Sequence, residues 1–257
     1  MQADSVESPP ILTVDGHVAT LSLSRPSVAN RLSPSDLDAV CQHIEAVNQN
    51  TDIRVLRLVS TGKYFCSGYD ISSLASDTAP SSLYFGQTVD QLEAARPVTI
   101  AAVQGGVYGG GTDLALACDF RIGSTAANMF MPATRLGLHF YPGGMRRYVS
   151  RLGIDQAKRL FLTAEKLEAA DMAKIGFLTQ LVEPDALLCA LDQLTDTLTD
   201  MAPLALIGVK SHLNRIVYGD LDVPAIEEAV RQSEKSEDIQ EGAKAWKEKR
   251  KPQFKGR

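Results

Sequence analysis

The sequence has little of several things, and each shortage excludes something. It has only four cysteines, Cys41, Cys66, Cys118 and Cys189, which are far apart and form no C-x-x-C pair. Neither a zinc site nor a disulfide framework is indicated, and they read as reduced thiols of a cytoplasmic protein with no metal. No run of eighteen apolar residues occurs, so no membrane span is expected. The opening MQADSVESPP carries two acids and no apolar signal-peptide stretch, and residues 1–10 read as a frayed tail. Basic charge is in deficit, 26 Lys and Arg against 31 Asp and Glu, a net −5. No field of that sign holds nucleic acid or an anionic membrane. Three signatures are also missing: a P-loop lysine, G-x-G-x-x-G over Gly109 to Leu114, and a G-x-S-x-G elbow. Nucleotide binding and serine hydrolysis lose their support.

What is present reads as an α/β chain. Ile11 to Val14 and His17 to Ser24 flank Asp15-Gly16, a pair suited to a tight hairpin turn. Ser33-Pro34-Ser35-Asp36 is a capping box with proline at the first helical position. Leu37, Val40, Cys41, Ile44 and Val47 then recur at helical spacing, which predicts one buried stripe. Ile53 to Ser60 and Val98 to Val103 are apolar enough for buried strands, with shorter ones over Asp119 to Ser124 and Met129 to Met131. From about Asp155 helical patterns dominate: Gln156 to Thr163, Ala164 to Ile175, Asp185 to Asp200, Pro203 to Tyr218 and Val223 to Lys235, with Leu178 to Val182 the one clear late strand. The expected organisation is a core over 11–200 and a helical region over 201–257, closing on the basic tail Lys244 to Arg257.

The strongest local signal for chemistry lies where Val98 to Val103 runs into Gly105-Gly106 and then Gly109-Gly110-Gly111, followed by the Ala- and Leu-rich helix Thr112 to Cys118. Glycines let backbone approach a ligand, and the helix start leaves N–H groups without intrahelical acceptors. A close-packed turn without a ligand fits the same segment. Phe65-Cys66-Ser67-Gly68-Tyr69-Asp70 is by itself a glycine-centred turn after a strand. Together, the two loops could supply two converging N–H donors, which is what an oxyanion hole requires.

These residues, with Pro97 to Val103, Asp113 to Asp119, Pro132, Arg135-Leu136-Gly137-Leu138 and the closing Lys249 to Arg257, give the chain from about Ile11 to Arg257 a pattern that resembles the enoyl-CoA hydratase/isomerase (crotonase) superfamily. The resemblance implies a spiral of β-β-α repeats with a C-terminal helical trimerisation region, assembled as a homotrimer or homohexamer. It implies an acyl-CoA substrate, coenzyme A being part of the thioester rather than a prosthetic group. The oxyanion donors fall on the backbone N–H groups of Tyr69 and Gly110. Coenzyme A contacts fall near Arg25, the loop of Tyr69, Asp70 and Ile71, and Lys251, Phe254 and Lys255 of the same or a neighbouring subunit.

The departures from the family pattern bear on the reaction. Hydratases of the family use two glutamates where this chain has Asp113 and Ala133, and syn addition of water needs two opposed acid/base groups. Family isomerases commonly keep the glutamate that Ala133 replaces. Dienoyl isomerases and aryl-CoA dehalogenases place an aspartate at the position of Tyr141. The leading expectation is a lyase or isomerase acting through an enolate, with Asp113 as proton carrier. Decarboxylating members resemble this chain in pairing an oxyanion hole with a nearby tyrosine, so Tyr141 or His139 is the alternative acid. A catalytically poor CoA-ester binder is the alternative from another class. An aspartate in a first helical turn is also favoured by the helix dipole alone.

Overall fold

The computed structural model describes residues 7–70 and 81–257. The chain opens with the antiparallel hairpin β1 (Ser8–Asp15) and β2 (Val18–Ser24), turned at Gly16, whose φ is +55°. β1 starts earlier than expected. Ser8 pairs with Ser24 across a bulge, so residues 8–10 belong to the sheet and not to a tail. Helix α1 (Pro34–Gln49) follows with both halves of the capping box formed, and its buried face is Leu37, Val40, Ile44 and Val47.

Next comes a repeating unit in which one strand joins a large sheet, a second joins a small one, and a helix crosses back. The first unit is β3 (Val55–Ser60), β4 (Tyr64–Cys66) and α2 (Ser82–Glu93); the second is β5 (Val98–Val103), β6 (Gly106–Tyr108) and α3 (Gly110–Ala117). The third has β7 (Phe120–Ser124) and β8 (Asn128–Phe130), then α4 (Pro142–Leu152) and α5 (Ile154–Thr163). After β9 (Lys166–Glu168), α6 (Ala169–Lys174) and β10 (Gln180–Val182), the large sheet has the order β1-β2-β3-β5-β7-β10 and the small one β4-β6-β8-β9. This is the expected β-β-α spiral. One element departs from expectation, since Ala164 to Ile175 is not a single helix: Leu167 of β9 pairs antiparallel with Met129 before α6 begins.

Strand β5 is buried on both faces, and its side chains alternate between two cores. Ala101 and Val103 join Leu56, Leu58, Leu37 and Ile44 on one side; Val98, Ile100 and Ala102 join Leu187, Leu191 and Leu198 on the other. The latter come from α7 (Leu187–Thr199), which is followed by α8 (Pro203–Val217), α9 (Val223–Lys235) and α10 (Glu237–Glu248). Helices α2, α3 and α4 touch one another in pairs, and the site forms around that junction.

Candidate active site

The floor of the site is made of backbone. β4 and β6 run parallel in the small sheet, so the loops leaving their C-terminal ends emerge side by side. Gly68 has φ +90°, and a Cβ there would stand 2.6 Å from the Gly110 nitrogen. A Cβ on Gly111 would stand 2.4 Å from the Cys66 carbonyl oxygen. Only glycine allows the two loops to lie this close. The Gly68 turn is held from behind: its N–H donates to Cys66 Sγ at 3.3 Å, while that thiol donates to the Asn30 carbonyl at 3.2 Å. Burial pushes the Cys66 thiol up to about 12, so it remains a neutral packing group.

Tyr69 bridges to Leu32. The Leu32 N–H donates to the Gly68 carbonyl at 2.8 Å and the Asp70 N–H to the Leu32 carbonyl at 3.0 Å. Extended backbone alternates, which directs the Tyr69 N–H to the side opposite Leu32. Gly110 is the first residue of α3, where an N–H has no intrahelical acceptor.

Above this floor lies a cavity of about 320 Å³. Tyr69, Gly110, His139 and Tyr141 all line it, as does Ala133. Its walls are largely apolar, with Phe85, Phe130, Met131 and Leu138 prominent. Phe85 is central: its ring lies 5.8 Å from that of Tyr69 and 6.1 Å from that of Tyr141, and a Cβ on Gly110 would come within 2.7 Å of it. Among the described residues no carboxylate lines this cavity, and Arg31, paired with Asp70 at 3.3 Å, is the one arginine that does.

Asp113 is fully buried but does not line the cavity. It lies behind Tyr141, whose hydroxyl donates to Oδ2 at 2.7 Å. Arg147 grips both carboxylate oxygens, Nε to Oδ1 at 2.9 Å and Nη2 to Oδ2 at 2.7 Å. Asp113, the proton carrier that the sequence suggests, is thus separated from the cavity by Tyr141, its carboxylate held in the α2–α3–α4 junction by the guanidinium. Burial, followed by the Asp113 charge, holds the Tyr141 phenol well above its ordinary range. His139 is exposed at the rim, its Nδ1 2.8 Å from the Phe140 carbonyl oxygen.

The residues expected to contact coenzyme A are scattered. Tyr69 lines the cavity and Asp70 adjoins it through Arg31, whereas Ile71 lies outside the described residues. Arg25 is committed to Asp36 at 3.1 Å and does not reach the cavity. The tail folds back on local acids. Lys251 pairs with Asp200 at 2.8 Å, the Lys255 N–H donates to Asp238 at 2.7 Å, and the Phe254 carbonyl accepts from Arg54 at 3.0 Å. None of these three lines the cavity of its own chain.

Sequence reasoning passes over Phe85, Arg31 and Arg147. A signal existed for two of them: Phe85, Val89 and Leu92 recur at helical spacing, and so do Gly144, Arg147 and Tyr148 on the buried face of α4.

Comparison with known proteins places this geometry in context. The family model for enoyl-CoA hydratase/isomerase matches residues 13–257. The crotonyl-CoA hydratase of Syntrophomonas wolfei is 32% identical over 251 residues, covering 95% of this chain and 96% of that protein. The short-chain-enoyl-CoA hydratase of Clostridium acetobutylicum is 31% identical over 248 residues, covering 94% and 95%. The solved enoyl-CoA hydratase from Bacillus anthracis superposes with a TM-score of 0.89 at 27% identity, covering 97% of this chain and 100% of that one.

Proposed function

Because this chain belongs to the enoyl-CoA hydratase/isomerase family and so to enzymes acting on CoA esters, we propose that it stabilises a thioester enolate and uses Tyr141 to move the proton at the α-carbon. The observation that carries this reading is the lining of the cavity: Tyr141 borders it, Ala133 contributes only a methyl group, and no carboxylate is present among the described residues. Tyr69 and Gly110 backbone N–H groups fit the oxyanion, since two fixed donors converging on a developing charge are worth most where water is excluded. The mostly apolar walls suit an uncharged acyl group. Reactions in which one acid–base group suffices are supported: exchange at the α-carbon, double-bond migration in which the same group takes the α-proton and returns it at the γ-carbon, or protonation of the α-carbon after loss of a carboxyl group. Ordinary hydration is not, because it needs a second group to position water. The exposed Leu204, Val209, Leu213 and Ile216 of α8 support assembly with further copies of the chain.

Two measurements test this. Acetyl-CoA and butyryl-CoA are expected to raise the melting temperature with concentration, because a ligand that binds only the native state stabilises it by mass action. An unmoved melting curve at millimolar ligand would remove the CoA-ester reading. Crotonyl-CoA is expected to keep its enoyl absorbance when incubated with the wild-type protein. Its rapid loss would show that Tyr141, without a cavity carboxylate, suffices to add water.

A further inference from the structure

The geometry points to Arg147 as a positioning residue that keeps Asp113 an acceptor, so that Tyr141 and Asp113 form a two-step proton relay into the cavity. This rests on the enolate reading above and says how the proton moves. The Tyr141 hydroxyl donates its hydrogen to Asp113 Oδ2, which leaves the oxygen's lone pairs to accept, and the same residue borders the cavity. When the α-carbon loses its proton, the C–H bond breaks and its electron pair enters the enolate. Tyr141 Oη takes that proton while giving its own to Asp113 Oδ2. Tyr141 ends as a neutral phenol, Asp113 as a carboxylic acid, and the thioester as an enolate; no tyrosinate forms. The reverse step returns a proton to the α-carbon. The high pKa of the Tyr141 phenol is then no obstacle.

Arg147 has the geometry this demands. It is only 1% exposed. Its fork takes both Asp113 oxygens, and its remaining nitrogen, Nη1, donates to Asp90 at 2.6 Å and Glu93 at 3.0 Å. Burial opposes the charge of Arg147, but the hydrogen bonds and charge of Asp113, then the Glu93 charge and the Asp90 bond, outweigh it and raise its pKa. The other ionisable groups facing the pair are accounted for. On α4, Arg151 pairs with Glu93 at 3.3 Å, and the Tyr148 hydroxyl is bonded to Thr112. From the end of α8, Tyr218 donates to Glu93 and stacks beneath Arg146. Tyr141 is the group that connects this junction to the cavity.

Without Arg147, Asp113 would be a carboxyl group buried beside α2 acids with no guanidinium bonded to it, and burial favours its neutral form. A protonated Asp113 would donate to Tyr141 and close the relay. The test is the rate at which butyryl-CoA takes up deuterium at the α-carbon from heavy water, read by mass spectrometry between about pH 5.5 and about pH 9. In Arg147→Gln the rate is expected to fall about a hundredfold at neutral pH and to climb with pH as Asp113 ionises, a slope absent from the wild type. Arg147→Lys keeps the charge without the fork, and a loss of about tenfold with the wild-type profile is expected. If Arg147→Gln does not fold, Asp113→Asn decides the matter: an amide cannot take the proton from Tyr141, so exchange is expected to fall about a hundredfold, and exchange at the wild-type rate would overturn the relay. A uniform loss in both Arg147 variants with unchanged profiles would make Arg147 merely structural and overturn the relay. Absence of exchange from the wild-type protein would instead overturn the enolate reading itself, so the two failures are distinguishable.

Discussion

Tyr141→Phe is expected to lose about a hundred- to ten-thousandfold in α-proton exchange, the usual contribution of a positioned acid–base group. Little else should change. The ring fills the same space against Phe85 and Phe140, whose centroids lie 6.1 Å and 4.2 Å from its own. Deleting the hydroxyl leaves Asp113 Oδ2 still bonded to Arg147 Nη2, so no buried acceptor is orphaned. The stability cost is therefore that of one ordinary hydrogen bond, about 1 kcal/mol, or roughly 2–4 °C in melting temperature for a chain of this size. A thermal shift with butyryl-CoA measures binding on the same sample, and it is expected to match the wild type. Should exchange persist undiminished while the variant is folded, the proton moves through another group, and His139 at the rim is the next candidate to substitute.

The features legible in the sequence are those specified by residues close together in the chain. The capping box Ser33 to Asp36 is complete within four residues and forms as written. The burial of β5 on both faces is announced by its unbroken apolar run. β9 was illegible because its reason is distant: Leu167 is a strand residue only by virtue of pairing with Met129. The break before it is at Ala164, φ 49°, and an alanine gives no warning of a left-handed turn. The site divides in the same way. Gly68 and Gly111 could be found because close backbone approach forces glycine. Asp113 could be named but not aimed. Its direction depends on an arginine 34 residues later, and helical spacing that puts Arg147 on the buried face of α4 does not say which carboxylate it will meet.

Gly110→Pro is expected to reduce α-proton exchange by about a hundred- to a thousandfold, the cost of losing one oxyanion donor. The substitution removes the N–H at a position where a helix otherwise accepts proline, since Gly110 opens α3 and its N–H serves no intrahelical bond. It also adds a Cβ that would meet the Phe85 ring at 2.7 Å, so a lower rate alone would be ambiguous. Gly110→Ala resolves this. Alanine brings the same Cβ against Phe85 but keeps the N–H, and whatever it loses measures the displacement of Phe85 and, through that ring, of Tyr69 and Tyr141. The donor's contribution is the further loss on going from Ala to Pro, and the expected hundredfold or more applies to that difference. Circular dichroism checks that α3 survives, and a CoA thermal shift checks that the thioester still binds. Equal rates for the folded Ala and Pro variants would mean that Gly110 serves only to let Phe85 approach, and the enolate oxygen would have to find its second donor away from the start of α3.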